Sequence, residues 1–135
     1  MTYYIYTSGT NMTATPLHNS VRDGDLTTCN ELIITGHDVN AIDENGLLPI
    51  HIAASMSNIR MIKLLLQYNA CLTCVDTEGN TALHMIVQSD AYSRRKFVGI
   101  MRQMVRQGAN RYVANKSGMT PHNYMTSEDR DMMNA

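Results

Sequence analysis

A four-residue segment recurs along the chain at a fixed interval, and this repeat constrains the fold more than any other feature. Thr15-Pro16-Leu17-His18 is followed 33 residues later by Leu48-Pro49-Ile50-His51, and after another 33 residues by Thr81-Ala82-Leu83-His84. Thr120-Pro121 comes 39 residues after Thr81, so the third interval holds about six extra residues. An interval of this length is typical of repeat proteins, in which units stack because one unit cannot bury its apolar face alone.

The residue types at the repeated positions indicate two short helices in each unit. Thr15 suits a helix N-cap, because its hydroxyl can accept a hydrogen bond from a backbone N–H that has no partner within the helix. Pro16 fits the first turn, where its missing N–H costs nothing, and Leu17 and Val21 share one face at i and i+4. The apolar residues of the second helix in the first two units are Leu26, Leu32, Ile33, Ile59, Ile62, Leu65 and Leu66.

Glycine and asparagine predict where the helices end and the chain turns. The position after the second helix, where we expect left-handed backbone, is occupied by Gly36, Asn69 and Gly108. The turn-tip position, where we expect a positive φ, is occupied by Gly46, Gly79 and Gly118. Leu48 departs from the pattern because it replaces the capping threonine, and the missing hydroxyl should cost about 1 kcal/mol.

The Thr-Pro-Leu-His box, the 33-residue interval and the segment Gly108-Ala109-Asn110 resemble ankyrin repeats, and the resemblance covers about residues 13–126. It implies an all-α solenoid of about four helix-turn-helix units joined by β-turn fingers. The expected units are 13–45, 46–78, 79–117 with an insertion at 91–96, and a partial unit at 118–126. We expect an N-terminal extension or cap at 1–12 and a C-terminal tail at 127–135.

In ankyrin repeats, the turn tips and the inner helices form a concave face that binds partners. Carried over by position, the resemblance assigns partner binding to Arg22, Asp23, Ile42, Glu44, Asn45, Leu47, Ser55, Met56, Val75, Thr77, Glu78, Asn80, Gln88, Ser89, Lys116, Ser117 and Met119. Leu47, Met56 and Met119 are apolar residues at positions expected to be exposed, which is typical of a protein interface. The alternative is that each of them packs against the neighbouring unit.

Charge is divided unevenly along the chain. Residues 1–90 carry three basic and nine acidic side chains, whereas residues 91–118 carry seven basic side chains and no acidic one. The basic patch consists of Arg94, Arg95, Lys96, Arg102, Arg106 and Arg111, the first three of which we expect in the inserted loop. The segment 94–116 is an alternative binding site, for nucleic acid or an acidic surface. We favour a solvated helix face and no nucleic-acid partner, because no aromatic platform interleaves the charges.

Histidines and cysteines offer two further candidates for chemistry. His18, His51 and His84 should form a row, but adjacent units are too far apart for shared metal ligation at about 2.0–2.1 Å. We expect each histidine to bond backbone and hold neighbouring units together, as the resemblance also implies. Cys71 and Cys74 form a C-x-x-C motif, which could bind zinc or take part in redox exchange, but no second cysteine pair accompanies it. We interpret the motif as structural and the cysteines as reduced thiols.

No catalytic, metal-binding or cofactor-binding constellation emerges from the sequence. The resemblance implies a non-enzymatic protein–protein interaction module, an adaptor or inhibitor that occludes a protein partner through its concave face. Small ankyrin proteins of this size include inhibitors of cyclin-dependent kinases and virus-encoded mimics of NF-κB inhibitors, so both a viral and a cellular origin stay open. We expect a monomer in the cytoplasm or nucleus, since no apolar run approaches the ~18 residues of a membrane span and residues 1–8 do not resemble a secretory signal.

Overall fold

The computed structural model of the protein describes residues 15–89 and 94–134, which form seven α-helices and one 3-10 helix and contain no β-strand. The helices are α1 (Pro16–Asp23), α2 (Leu26–Ile34), α3 (Pro49–Ser55), α4 (Ile59–Gln67), α5 (Ala82–Gln88), α6 (Arg94–Arg106), the 3-10 helix (Pro121–Tyr124) and α7 (Ser127–Asn134). Among these residues, no helix has the length and apolar character that crossing a bilayer requires. The predicted extension at 1–12 and residues 91–93 of the insertion lie outside the described residues.

Threonine side chains cap the inner helices α1 and α5, as the sequence predicts. Thr15 Oγ1 accepts a hydrogen bond from the N–H of His18 at 3.2 Å, and Thr81 Oγ1 accepts from the N–H of His84 at 3.3 Å. Leu48 takes the same place before α3 and provides no side-chain cap. Its side chain is buried instead, so apolar packing replaces the missing cap at this helix start.

Left-handed backbone follows the outer helices, as predicted. The angle φ is 111° at Gly36, 62° at Asn69 and 118° at Gly108. Asn69 is the costly member of this set, because an L-residue in this region is strained and asparagine tolerates it better than most.

The helices pack in two rows with a continuous core between them. Helices α1, α3, α5 and the 3-10 helix lie side by side in the inner row, α2, α4 and α6 form the outer row, and α7 packs against α6. The largest buried side chains between the rows include Leu17, Ile50, Met61, Ile62, Leu65, Leu83, Ile86, Phe97, Met101 and Met104. Each unit thus buries its apolar face against the next, which confirms the predicted all-α solenoid.

The insertion in the third unit lengthens a helix, which corrects one prediction. Arg94, Arg95 and Lys96 are expected in an inserted loop, but they form the first turn of α6. This helix has 13 residues, whereas α2 and α4 have nine each. Arginine and lysine rank among the better helix-forming residues, so the segment continues the helix toward its N-terminus.

Helix α7 lies where the sequence predicts a C-terminal tail at 127–135. Thr126 and Asp129 begin α7: the Thr126 N–H donates to Asp129 Oδ2 at 3.0 Å, and the Asp129 N–H donates to Thr126 Oγ1 at 3.2 Å. Arg102 on α6 donates to the carbonyl of Met132, and Met133 is buried. Residues 127–134 therefore pack against α6 as a further helix of the solenoid.

Cys71 and Cys74 are joined by a disulfide, which corrects the expectation of reduced thiols at this pair. Their Cα atoms lie 5.7 Å apart in the turn that follows α4. Cys29 is a free, buried cysteine, and burial raises the pKa of its thiol. The described residues contain no group of three or more His, Cys, Asp or Glu side chains placed to hold a metal ion.

Candidate functional site

The three fingers within the described residues, at 43–47, 76–80 and 115–119, are each folded around one side chain that accepts two backbone hydrogen bonds. In the first finger, Asp43 Oδ1 accepts from the N–H groups of Asn45 and Leu47, both at 2.9 Å. Asp76 makes the equivalent bonds in the second finger and Asn115 in the third, at 2.9 to 3.0 Å. Bonds of this kind satisfy backbone donors within the turn and fix its shape. The fingers therefore hold their exposed side chains in defined positions.

The second and third fingers are bonded directly to each other. The backbone N–H of Lys116 donates to the carbonyl of Glu78 at 3.0 Å, and Asn115 Nδ2 donates to Asn80 Oδ1 at 2.9 Å. Gly79 lies at this contact, where an added Cβ would be 2.9 Å from the backbone nitrogen of Lys116. The two fingers approach so closely that they form one continuous surface.

Three buried histidines fasten the inner helices to the bases of the fingers. Distances of 2.9 to 3.0 Å join Nε2 to a backbone carbonyl oxygen in the pairs His18 and Leu47, His51 and Cys74, and His84 and Met119. Nδ1 of His51 accepts from the N–H of Leu48 at 3.0 Å, so the proton of the neutral ring is on Nε2, which donates. The structure confirms that these histidines bond backbone and join neighbouring units.

Burial lowers the pKa of His18 and of His51 below the ordinary value of 6.5, because desolvation disfavours the charged imidazolium. The neutral ring is also the form whose Nδ1 can accept a hydrogen bond. Around neutral pH these two histidines are therefore uncharged connectors between units.

A groove of about 450 Å³ lies between the first two fingers and the inner helices α3 and α5, and we call it the concave groove. Its lining consists of Leu47, His51, Ser55, Asp76, Asn80, Met85, Gln88 and Ser89. The predicted binding residues that the structure brings together here are Leu47, Ser55, Asn80, Gln88 and Ser89. Leu47 and Met85 are half-buried and give the groove an apolar floor, while Ser55 and Gln88 are exposed at its side.

Three of the predicted binding residues are exposed apolar side chains. Ile42 on the first finger is 54% exposed, Val75 on the second finger 48% and Met56 at the end of α3 47%. Leu47 and Met119 are half-buried, contrary to the expectation that they are exposed. Leu47 packs against the core, because the base of each finger rests on the next inner helix. The exposed apolar set is therefore Ile42, Met56 and Val75.

Charged groups near the concave groove are mainly acidic. The exposed carboxylates among the predicted binding residues are Asp23, Glu44 and Glu78, and Lys116 on the third finger is an exposed cation. Arg22 forms an ion pair with the buried Asp43, with 3.1 Å between Arg22 Nη2 and Asp43 Oδ2, so its charge is tied to the first finger. The other predicted tip residues, Asn45, Thr77 and Ser117, are exposed.

Two members of the alternative site, the basic patch, contact other groups of the chain. Arg102 donates to the carbonyl of Met132 and so holds α7 against α6. The guanidinium of Arg111 lies 5.4 Å from the centre of the Tyr112 ring, within the range of a cation–π contact. Arg106, one turn after Arg102 on α6, is exposed. At least one member of the patch therefore has a structural role within the fold.

Sequence reasoning missed the residues that build the fingers. Asp43, Asp76 and Asn115 are absent from the predicted binding residues, although their spacings of 33 and 39 residues repeat those of the Thr-Pro-Leu-His box. An acid or amide at a fixed repeat position, two residues before an exposed tip, is the signal that identifies such a turn.

Comparisons with known proteins agree with this architecture. A family model described as "Ankyrin repeats (3 copies)" matches residues 17–98. Protein phosphatase 1 regulatory subunit 27 of Mus musculus is 31% identical over 114 residues, which are 84% of this chain and 70% of that protein. Nuclear factor NF-kappa-B p105 subunit of Gallus gallus is 30% identical over 87 residues, 62% of this chain and 9% of that protein. The chain thus spans less than a tenth of the chicken relative and 70% of the mouse one.

Proposed function

Because the chain belongs to the ankyrin-repeat family, whose repeats imply a protein–protein interaction module, we propose that it binds a protein partner through the concave groove and the fingers. In this role the chain catalyses no reaction. Its main support is the set of exposed apolar residues Ile42, Met56 and Val75 on the first two fingers and at the end of α3. Exposed apolar groups with a polar rim gain free energy when a partner removes them from water.

The rigidity of the fingers also supports binding at this face. Asp43 and Asp76 each fix their turn by two hydrogen bonds, and the second finger is bonded to the third. A surface that is already ordered loses little conformational entropy when a partner docks, so more of the contact energy appears as affinity.

We propose that binding serves to block or to bridge the partner, as an inhibitor or an adaptor does. The mouse relative is named a regulatory subunit of a phosphatase and the chicken relative a subunit of NF-kappa-B, and both names fit a regulatory role. By analogy, the chain would act as inhibitors of NF-κB or of cyclin-dependent kinases do. We propose that it does so as a monomer in the cytoplasm or nucleus.

The test begins with purification of the tagged protein from its source cell and identification of what co-purifies. Affinity for the identified partner is then measured by calorimetry for the parent protein and for the single variants Met56→Arg and Val75→Arg. We expect each variant to bind at least tenfold more weakly, a loss of about 1.4 kcal/mol or more, because the new arginine brings a charge without a partner into an apolar contact. Both side chains are exposed, so the fold should tolerate either change.

Gln107→Arg is the matched control, because it adds the same charge at an exposed position just after the outer helix α6. Partner affinity should be unchanged in this variant. Equal affinity of all three variants and the parent protein would show that the concave groove is not the binding site.

A further inference from the structure

A second groove lies on the opposite side of the solenoid, between the outer helices α2 and α4. We call it the outer groove; it has a volume of about 450 Å³ and is lined by Leu26, Thr27, Asn30, Arg60, Lys63, Leu64 and Gln67. Leu26 and Leu64 are half-buried side chains packed against the core, so they form an apolar floor. The lining on α4 runs from Arg60 to Gln67, about 10 Å at 1.5 Å per residue.

The polar groups at the rim of the outer groove are mostly hydrogen-bond donors. Arg60 and Lys63 are exposed, and they are the charged groups among its lining residues. Within residues 15–89 and 94–134, the ion pair found is that of Arg22 with Asp43, and neither Arg60 nor Lys63 takes part in it.

The side-chain amide of Asn30 adds a further donor. The hydroxyl of Tyr68 donates to Asn30 Oδ1, so the Nδ2 group is the part of this lining side chain that acts only as a donor. An arginine, a lysine and an oriented amide in one short rim match carboxylates, which are acceptors only and carry the opposite charge.

The shape of the outer groove favours a helix over an extended segment. A helix can set a ridge of side chains at i and i+4 into the space between two neighbouring helices. A β-strand would need backbone hydrogen-bond partners, and the backbone groups of α2 and α4 are already paired within their helices.

We propose that the outer groove is a second binding site, which takes one amphipathic helix of a partner protein with leucine-like residues on one face and flanking Asp or Glu residues. The apolar residues contact Leu26 and Leu64, and the carboxylates pair with Arg60 and Lys63. The site lies on the other face from the concave groove and does not depend on the function proposed for that groove. With both sites, one chain can join a partner of each kind.

The probe is a synthetic peptide of about 14 residues, with leucines at i, i+4 and i+7, flanking glutamates and alanine elsewhere. A control peptide has lysine in place of every glutamate. Titration of the isotope-labelled full chain is followed in ¹⁵N–¹H correlation spectra. We expect the acidic peptide to shift the amide signals of Thr27, Asn30, Lys63 and Gln67, and the basic peptide to bind at least tenfold more weakly.

Two variants test the charge argument. The double variant Arg60→Glu/Lys63→Glu should lose roughly tenfold or more of the affinity for the acidic peptide, since two attractive pairs become repulsive. Lys116→Glu, on the concave side, should leave that affinity unchanged. The exposed position of all three side chains makes folding of the variants a fair expectation, which far-ultraviolet circular dichroism checks.

The proposal is overturned if both peptides bind equally or if the shifts fall on Met56 and Gln88 instead. It is also overturned if no shift appears up to about 1 mM peptide, because a dissociation constant above that concentration corresponds to a binding free energy weaker than about 4 kcal/mol. It is also overturned if light scattering shows a dimer that Leu64→Arg abolishes, because the occupant is then a second copy of this chain. Failure at the outer groove leaves the proposal for the concave groove standing, because that proposal is argued from other residues and tested with another partner.

Discussion

Replacing Gly79 with alanine should cost more stability than the same change at Gly118, although both lie at finger tips with φ of 78°. Alanine at positive φ costs about 1–2 kcal/mol, offset by about 0.4–1 kcal/mol from the reduced entropy of the unfolded chain. These two contributions are common to both variants. Each substitution should therefore lower the free energy of unfolding by about 1 kcal/mol from backbone strain alone.

The difference between the two variants comes from the contact between fingers. At Gly79 the new Cβ would lie 2.9 Å from the backbone nitrogen of Lys116 and 3.2 Å from Cα of Asn115, whereas at Gly118 nothing lies within 4 Å. Backbone atoms cannot rotate away, so the two fingers must separate and weaken the bond from Lys116 N–H to the carbonyl of Glu78. Losing that bond adds about 1 kcal/mol, and Gly79→Ala should total about 2 kcal/mol.

Urea denaturation followed by far-ultraviolet circular dichroism measures both values, and suits a chain that has no tryptophan. The midpoint of thermal unfolding should fall by about 4 °C per kcal/mol. Equal losses for Gly79→Ala and Gly118→Ala would refute the argument, because they would mean that the second and third fingers are not held together in solution.

Three further predictions concern single features of the fold. The free energy of unfolding should fall as the pH drops from 7 through 6.5, because His18 and His51 have lowered pKa values in the folded state and the unfolded chain therefore takes up protons first. In urea titrations the slope should reach at most about 1.4 kcal/mol per pH unit for each histidine. A free energy of unfolding that does not change over this pH range would contradict the prediction. Asn69→Ala should lose about 1 kcal/mol because φ there is 62°, whereas Asn69→Gly should lose nothing; equal losses would show that the left-handed backbone is not the reason. Dithiothreitol should lower the free energy of unfolding by up to about 2 kcal/mol by opening the bond between Cys71 and Cys74, and it should have no effect on the Cys71→Ser/Cys74→Ser variant.

The sequence predicted the features whose physical cause is local and repeated. A glycine or asparagine after each outer helix indicates left-handed backbone because few other residues tolerate it, and Gly36, Asn69 and Gly108 all adopt it. The histidines recur at the repeat interval and bond the next unit. In each case the residue at one repeat position predicted the structure at the same position in the other units.

Prediction failed where no second unit could serve as a template. The extra residues of the third unit have no counterpart, so the register shows that they exist but not whether they form a loop or a longer helix. Arg94 to Lys96 are helical, and Ser127 to Asn134 pack as α7 because Arg102 and Met133 give them tertiary contacts. The disulfide depends on a turn geometry that a C-x-x-C spacing permits without requiring.

The sequence also could not predict which side chains of the candidate site are exposed. Leu47 and Met119 are half-buried and Met56 is exposed, and this difference depends on how closely the neighbouring unit packs against each side chain. The acceptors Asp43, Asp76 and Asn115 could have been found from their spacing, but the bond between Glu78 and Lys116 depends on how closely two neighbouring fingers approach each other.

The coupling between the last two fingers should also govern how the solenoid opens. A backbone hydrogen bond and a side-chain amide bond link these fingers, and His84 ties the base of the third finger to α5. Amide protons in both fingers should therefore exchange with deuterated solvent at one common rate, set by a subglobal opening that releases the two turns together. Local unfolding that starts at α7 would stop at the bonded second and third fingers. The C-terminal half of the chain should therefore open as one cooperative unit.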